Sequence, residues 1–350
     1  MSPTYAKLSS TIYNFEGSIS PAEVTVLVTD PDLQILQTSS PADPSTWDLL
    51  NNEFFAARPD VKLRLYGFYF GVCDLSILLR MGNVRHFAVD NVMAATGLEY
   101  LSHLSQLESL NIGIYDLKSF EFLASLPCEQ IQSLTLLATE SKSPDLRHVD
   151  RFSNLKKLYI EGHKKNIEKV GNLQQLEDLT IRSVTVSDIS FIRSLSKLWS
   201  LDIKLGGSRD LSGIAGMDQI KYLELWQIKG LSDISVISTL PGLQFLFLQT
   251  LVHILQLPDL SQLTKLRRVV CENMSPSLDL SYLAFAPALQ EFFYSTNNGP
   301  PADSLEWIAK LSSIKNASIT LGRNKDNDRI QELLEAHNVR PYRFTPFVYD

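Results

Sequence analysis

The sequence predicts an α/β solenoid, in which short tandem units stack side by side instead of enclosing one central core. Two observations lead to this fold class. A hydrophobic pattern, with apolar residues at positions one, four and six of a unit, returns every 21 to 25 residues between residues 84 and 319. A second apolar set, spaced by three residues, follows it within the units. Because stacked units contact only their neighbours, such an array can extend over a long chain without enlarging a single core.

The best-preserved copies of the pattern lie in the middle of the chain. They are Leu107-Leu110-Ile112, Ile131-Leu134-Leu136, Leu155-Leu158-Ile160, Leu176-Leu179-Ile181, Leu198-Leu201-Ile203, Ile220-Leu223-Leu225 and Leu243-Leu246-Leu248. Weaker copies flank them: Leu63-Leu65, Val84-Phe87-Val89, Leu266-Val269-Cys271, Leu289-Phe292-Tyr294 and Ile314-Ala317-Ile319. This period and spacing are the leucine-rich-repeat signature. We therefore expect a horseshoe of about 11 or 12 leucine-rich repeats over residues 59–322.

Each unit is expected to contain one short strand and one short turn of helix. Alternate residues of a strand face opposite sides of a sheet, so positions one, four and six point inward and positions three, five and seven outward. The apolar sets Val186-Ile189-Ile192-Leu195 and Leu231-Ile234-Ile237-Leu240 suit short 3₁₀ or α turns behind the strands. This arrangement predicts a parallel β-sheet on the concave face and helical turns on the convex face.

Both ends of the chain depart from the repeat and are interpreted as caps, residues 1–58 and 323–350. In the first, residues 22–29 are rich in β-branched side chains and predict a strand. Residues 45–57 predict an amphipathic helix with Ser45 as its N-cap. In the second, residues 326–335 predict a helix and residues 339–348 an extended segment. The amino-terminal piece is long for a cap, and a small partner-binding element is the alternative.

Composition and charge narrow the classes of function and of compartment. The net charge of −7 argues against general nucleic-acid binding, which needs clustered Lys and Arg. The sequence contains no apolar run of 18 residues or more and no secretion signal at its start, so we expect a cytoplasmic protein without a membrane contact. Cys73, Cys128 and Cys271 are far apart in sequence, and Cys271 falls on an inward position, where it is expected to fill core volume. A monomer is expected.

The units resemble the short leucine-rich repeats of the internalin type. The phrases that carry this resemblance are residues 186–198 and 231–240, which include Ser-Asp-Ile-Ser after an apolar residue. The resemblance covers about three quarters of the chain and implies a protein that binds other proteins. The chain also resembles cytoplasmic leucine-rich-repeat proteins of bacteria, some of which are similar to immunity proteins, and this implies a toxin or effector as the partner.

The chain departs from the internalin-type family at the ninth position of its units. The family usually has Asn there, bonded to backbone groups of the turn. Here only Asn297 matches, and the other ninth positions hold Tyr115, Thr139, His163, Val184, Gly206, Ile228 and Leu251. His163, in the basic stretch 162–165, is expected in a solvated surface loop, and Arg267 and Arg268 on a solvated face.

Aromatic and charged side chains cluster at the outward strand positions of the later repeats. Aromatic residues rimmed by charges are typical of protein interfaces. The predicted protein-binding residues are Tyr159, Glu161, Arg182, Asp202, Lys204, Tyr222, Glu224, Trp226, Phe245, Phe247, Gln249 and Phe293. The alternative is that a cap, a loop or another subunit covers these aromatic residues.

Motifs of catalysis and of metal or cofactor binding were sought in the sequence as well. No paired Cys/His spacing, phosphate-binding glycine loop or nucleophile motif occurs, so no catalytic residue, metal or cofactor is expected. The sequence therefore predicts a non-enzymatic module that binds a protein partner on its concave face. The alternatives are a substrate-recruiting subunit or effector associated with an enzyme, and a self-associating scaffold.

Overall fold

The computed structural model describes residues 4–67 and 71–350, which divide into two compact units, Met1–Leu176 and Glu177–Asp350. Residues 1–3 of the predicted cap and residues 68–70 of the predicted array lie outside the described residues. Both units are built from strands that alternate with short helical turns, as the sequence predicts. The predicted boundaries at residues 58 and 322 stay predictions.

The first unit contains strands β1 to β10. They are β1 (Tyr5–Lys7), β2 (Ile12–Phe15), β3 (Ile35–Thr38), β4 (Lys62–Tyr66), β5 (Val72–Asp74), β6 (His86–Val92), β7 (Ala94–Thr96), β8 (Ser109–Ile114), β9 (Ser133–Leu136) and β10 (Lys157–Glu161). The sheet order is β1-β2-β3-β4-β6-β8-β9-β10, while β5 and β7 form a separate parallel pair. Only the β1–β2 pair of this sheet is antiparallel among its described pairings.

The second unit contains strands β11 to β17 in one parallel, in-register series. They are β11 (Asp178–Arg182), β12 (Ser200–Lys204), β13 (Tyr222–Trp226), β14 (Phe245–Gln249), β15 (Arg268–Glu272), β16 (Glu291–Ser295) and β17 (Asn316–Thr320). Equivalent positions of neighbouring repeats stand side by side, for example Asp202 beside Glu224 and Glu224 beside Phe247. The rows of outward residues read from the sequence are therefore real rows on the sheet.

Short 3₁₀ turns follow the strands of both units. In the first unit they span Leu75–Arg80, Leu98–His103, Glu121–Ser125, Val149–Arg151 and Ile167–Asn172. In the second they span Ser190–Ser194, Ser212–Ile214, Ser235–Thr239, Ser281–Phe285 and Ala302–Leu305. Two of them lie within the apolar sets that begin at Val186 and Leu231. Residues at positions one, four and six, such as Leu198, Leu201 and Ile203, are buried between the strands and these turns.

Near the amino terminus the structure differs from the sequence-based expectation. Residues 22–29, predicted as a strand, belong to helix α1 (Pro21–Thr29). Ser20 and Glu23 form a reciprocal capping box at its start, and Pro21 fits the first helical turn. Val24 and Leu27, three residues apart, bury one side of the helix, so capping and burial outweigh the β-branched composition.

Helices are present near the predicted residues 45–57 and 326–335, whereas the sequence does not predict the short helix Glu306–Ala309. Helix α2 (Pro44–Leu49) continues as a π-helical stretch, Leu50–Phe55, but it begins at Pro44 after Asp43, so the predicted N-cap Ser45 is wrong. Helix α3 (Glu306–Ala309) is short, and α4 (Asn324–Ala336) buries Ile330, Leu333 and Leu334. None of the helices in the described ranges has the length and apolar character needed to cross a membrane.

Most of the ninth positions of the repeats are buried, whereas Tyr115 and Asn297 are exposed there. Val184, Ile228 and Leu251 are buried there as apolar side chains. His163 is fully buried, its Nε2 lies 3.0 Å from the carbonyl oxygen of Leu137, and its ring packs edge-on against Phe120. The prediction of a solvated loop for His163 is wrong because basic neighbours say nothing about the direction of this side chain. Burial lowers the pKa of His163, which keeps the ring neutral.

Gly206 occupies a ninth position at which no side chain fits. A Cβ atom at this residue would lie 2.3 Å from the carbonyl oxygen of Val184, which belongs to the preceding repeat. Backbone cannot move aside as a flexible side chain can. We therefore expect the Gly206→Ala variant to lose about 1–3 kcal/mol of unfolding free energy, measured by urea denaturation.

Gly82→Ala is the matched control for this variant. No atom lies within 4 Å of the Cβ position at Gly82. Its unfolding free energy is expected to stay equal to that of the parent protein or to rise, because alanine restricts the unfolded chain. Equal stability of the Gly206→Ala and Gly82→Ala variants would contradict the close packing of adjacent units at Gly206.

Candidate functional site: the outward sheet face

The outward strand positions of the second unit form a half-exposed surface of aromatic and charged side chains. Trp226 and Phe247 are half-buried, whereas their inward neighbours Leu225 and Leu248 are fully buried. The leucine register therefore divides the two faces as predicted. Tyr159 and Glu161 occupy equivalent outward positions on β10 in the first unit, and both are half-buried.

Lys204 lies between two carboxylates at the centre of this surface. Its Nζ atom is 3.3 Å from Oδ2 of Asp202 and 3.1 Å from Oε2 of Glu224. The Tyr222 hydroxyl donates to the same Glu224 oxygen at 2.7 Å, and the Thr180 hydroxyl donates to Asp202 at 3.2 Å. The parallel register produces this cluster, because it places Asp202 directly beside Glu224 on the next strand.

The cluster changes the protonation equilibria of its members. Burial and the adjacent Glu224 raise the pKa of Asp202 to about 6, although Lys204 acts in the opposite direction. Burial would lower the pKa of Lys204, but the two carboxylates outweigh it and raise the pKa above its ordinary value. Burial, followed by the charge of Asp202, raises the pKa of Tyr222, so its hydroxyl stays neutral. The cluster holds fixed charges that can orient a charged partner.

An aromatic region adjoins this cluster at the ends of the strands. Trp226 stands beside Lys204 on one side and Gln249 on the other. The guanidinium carbon of Arg182 lies 5.6 Å from the centre of the Trp226 ring, a cation–π distance. Phe247 stands beside Glu224 on the neighbouring strand. Trp226, Phe247 and Gln249 thus form a region with flat apolar surfaces and a polar amide.

The other predicted aromatic residues contact the end of the chain itself. Tyr222 and Phe245 lie against Tyr349 and Phe347, with ring centroids 6.5 Å and 5.5 Å apart. Phe293 contacts Tyr342 and Phe344 at 5.7 Å and 5.1 Å. This part of the surface matches the covering-segment alternative raised by the sequence.

The second position of the repeats makes contacts that were not predicted from the sequence. The side chains of Trp199, Lys221, Gln244 and Arg267 occupy that position and all contact residues 348–350. Arg268, expected on a solvated face, is buried. The alternating aromatic residues Tyr342, Phe344, Phe347 and Tyr349 are the available signal, since an exposed tail has little use for them.

The first unit holds a polar network that the sequence did not indicate. Arg64 on β4 donates through Nε to Asp90 at 3.0 Å and through Nη1 to Gln37 at 2.9 Å. Asp90 is buried, and Asn111 on β8 lies 3.4 Å from its Oδ2. These contacts connect side chains of β3, β4, β6 and β8. Among the described residues, no group of three or more His, Cys, Asp or Glu side chains is arranged to hold a metal ion.

Solved structures with the same arrangement allow the fold to be named. The internalin InlF of Listeria monocytogenes is 20% identical, with 88% of this chain and 86% of that chain covered at a TM-score of 0.60. The fold is that of the leucine-rich-repeat proteins. Neither a protein-family model nor a curated protein sequence matches the chain.

Two further solved structures share the leucine-rich-repeat fold with this chain. TLR13, in its complex with ssRNA13, is 15% identical over 88% of this chain and 47% of that one, with a TM-score of 0.54. Mouse RP105, in its complex with MD-1, is 16% identical over 93% of this chain and 58% of that one, with a TM-score of 0.53. At these identities the similarity establishes the fold, and the resemblance to internalins is confirmed at that level.

The raised pKa of Asp202 leads to a test of the charge cluster. Between pH values of about 4 and 6 the native protein keeps a proton on Asp202 that the unfolded chain releases. This contribution to stability is full below pH 4 and is lost as the pH rises through 6. The unfolding free energy of Asp202→Asn, relative to the parent protein, should therefore increase from pH 4 to pH 7 in urea titrations.

Asp188→Asn provides a control of opposite sign. The backbone N–H of Ser190 donates to Asp188 at 2.8 Å, and hydrogen bonds from Ser190 lower the pKa of this exposed carboxylate. Its contribution is present above the pKa of the unfolded chain, so the relative stability of Asp188→Asn should decrease as the pH rises from acid. Parallel pH profiles for the two variants would contradict the proposed environment of Asp202.

Proposed function

We propose that the protein is a non-enzymatic module that binds a protein partner on the outward sheet face of its second unit. The observation that carries this proposal is the half-exposed pair Trp226 and Phe247 beside the Asp202–Lys204–Glu224 cluster. Aromatic side chains at the centre of an interface, surrounded by polar groups that exclude water, commonly contribute most of the binding energy. Arg182 and Gln249 complete the region.

The comparisons support a binding role and leave the class of ligand to the chemistry of this chain. RP105 is in complex with MD-1 and TLR13 with ssRNA13, so this fold binds both proteins and RNA. The net charge of −7 and the two carboxylates of the cluster favour a protein over RNA, since RNA binding needs excess Lys and Arg. Tyr159 and Glu161, which the sequence also predicts as binding residues, lie in the first unit and are proposed as binding residues of that unit by itself.

A finer form of the proposal is an immunity protein that occludes the active surface of a toxin or effector. It follows from the sequence resemblance to cytoplasmic bacterial repeat proteins, and the free thiols of Cys73, Cys128 and Cys271 are compatible with a reducing compartment. We propose a monomer in the cytoplasm. The alternative of a substrate-recruiting subunit predicts a stable complex with an enzyme instead of its inhibition.

The binding surface can be tested with the variant Trp226→Ala/Phe247→Ala. Both side chains are half-buried, so the unfolding free energy of the variant is measured as well, to separate a loss of binding from a loss of stability. Partners are captured from the host with the parent protein, purified and titrated by calorimetry. We expect the variant to bind more weakly by more than about 2 kcal/mol, roughly a 30-fold higher Kd.

Leu255→Ala/Phe285→Ala is the matched control, because it also removes two large apolar side chains. Both residues are 59% exposed and lie outside the outward strand positions. Their removal should leave the Kd unchanged. A partner that binds the Trp226→Ala/Phe247→Ala variant as tightly as the parent protein would place the interface elsewhere.

A further inference from the structure

The last ten residues cross the outward face of the second unit instead of leaving it. The segment starts beside β17, where the backbone N–H of Ala317 donates to the carbonyl oxygen of Arg340 at 2.8 Å. The backbone N–H of Tyr342 donates to Oγ of Ser318 at 3.1 Å. Beyond this anchor, residues 343–350 run over β16, β15, β14 and β13. The segment therefore crosses the strands and does not extend the sheet.

Aromatic side chains of the segment meet successive strands in order. Phe344 contacts Phe293 on β16, Phe347 contacts Phe245 on β14, and the Tyr349 ring lies 5.0 Å from Trp199 and 6.5 Å from Tyr222 on β13. An extended chain advances about 3.3 Å per residue and parallel strands are about 4.8 Å apart. The step from Phe344 to Tyr349 is then about 16 Å, close to the roughly 14 Å from β16 to β13. An extended peptide is thus in step with the strands.

Two arginines contact both the backbone and an aromatic ring of the segment. Arg268 donates through Nη1 to the carbonyl of Thr345 at 2.9 Å, and Arg267 donates through Nη2 to that of Val348 at 2.7 Å. Their guanidinium carbons lie 5.0 Å and 4.8 Å from the centre of the Phe347 ring. Backbone carbonyls are present in every peptide, so the two hydrogen bonds from the arginines to carbonyl oxygens tolerate many sequences.

Two features of the segment make this contact selective: its side chains face the sheet alternately, and its last residue is acidic. Phe347 and Tyr349 face the sheet, while Val348 between them is 77% exposed. Asp350 lies 3.2 Å from Nη2 of Arg267, and Lys221 donates to its carbonyl oxygen. A peptide that fits carries two aromatic residues separated by one residue and followed by an acidic residue.

We propose that Trp199, Tyr222, Phe245, Arg267 and Arg268, here named the aromatic strip, form a recognition site for extended peptide segments of this kind. In the isolated protein residues 343–350 occupy the strip as an intramolecular ligand. The partner supplies a segment of the same chemistry and displaces it. This inference rests on the proposed function, since it specifies how a partner protein engages the same sheet face.

The test uses the full chain with Phe347→Ala/Tyr349→Ala, which frees the strip without altering it. The probe is a fluorescein-labelled peptide with the sequence of residues 341–350, titrated by fluorescence anisotropy. A tethered ligand competes at an effective concentration in the millimolar range. The variant is therefore expected to bind the peptide at least tenfold more tightly than the parent protein.

Three controls define the contact. A peptide with alanine at the positions of Phe347 and Tyr349 should bind neither protein. The Val348→Ala protein should bind the original peptide as weakly as the parent, because Val348 faces away from the sheet. Adding Phe245→Ala to the freed variant should reduce its affinity for the peptide at least tenfold, with its unfolding curve as the check on folding.

Three results would overturn the inference. The freed variant could fail to bind the peptide, which makes the segment a fixed cover. The parent could bind it equally well, which places the peptide elsewhere. Sedimentation could show a parent dimer that the Phe347→Ala/Tyr349→Ala change dissociates, which assigns the strip to a second copy of this chain. The experiment needs no natural partner, so its outcome is independent of the test on Trp226 and Phe247.

Discussion

The alternation of inward and outward residues along each short strand is the constraint on which the rest of the structure depends. No single repeat can bury Leu201 and Ile203 by itself, so neighbouring repeats must stack. The stacking aligns equivalent positions of adjacent strands. A shift of one residue would exchange the faces, sending leucines to water and Asp202 into the core. The burial of the leucines thus determines where every functional side chain lies.

The fold could be predicted from the sequence because its signals are local and repeated. Every repeat has the same apolar spacing, so the strand register that is ambiguous in one repeat can be read from the others. The unique amino-terminal region has no such redundancy. There the β-branched residues 22–29 suggested a strand, whereas the capping box of Ser20 and Glu23 and the burial of Val24 and Leu27 produce a helix. His163 was misplaced for a related reason, since its direction depends on its position in the unit and not on its basic neighbours.

The candidate site could be predicted only in part. Asp202 and Lys204 lie two residues apart on one strand, and Glu224 lies about one repeat later, so the period and the alternation along the strand predict that the three meet. Contacts of the terminal segment have no such rule. Tyr349 and Trp199 are 150 residues apart, and no periodic pattern connects them. The interpretation also left out the second position of the units, because the strand pattern gives that position no fixed direction.

The energetics of the terminal segment favour a contact that can be exchanged. Ordering the backbone of the segment costs conformational entropy, which the burial of its apolar side chains has to offset. Within residues 343–350 only Phe347 and Tyr349 are even half-buried, while Phe344 and Val348 are 67% and 77% exposed. Two partly buried rings and a few hydrogen bonds therefore do little more than offset the cost of ordering eight residues. A partner that offers the same contacts, together with additional contacts to Trp226 and Phe247, has the larger gain and can displace the segment.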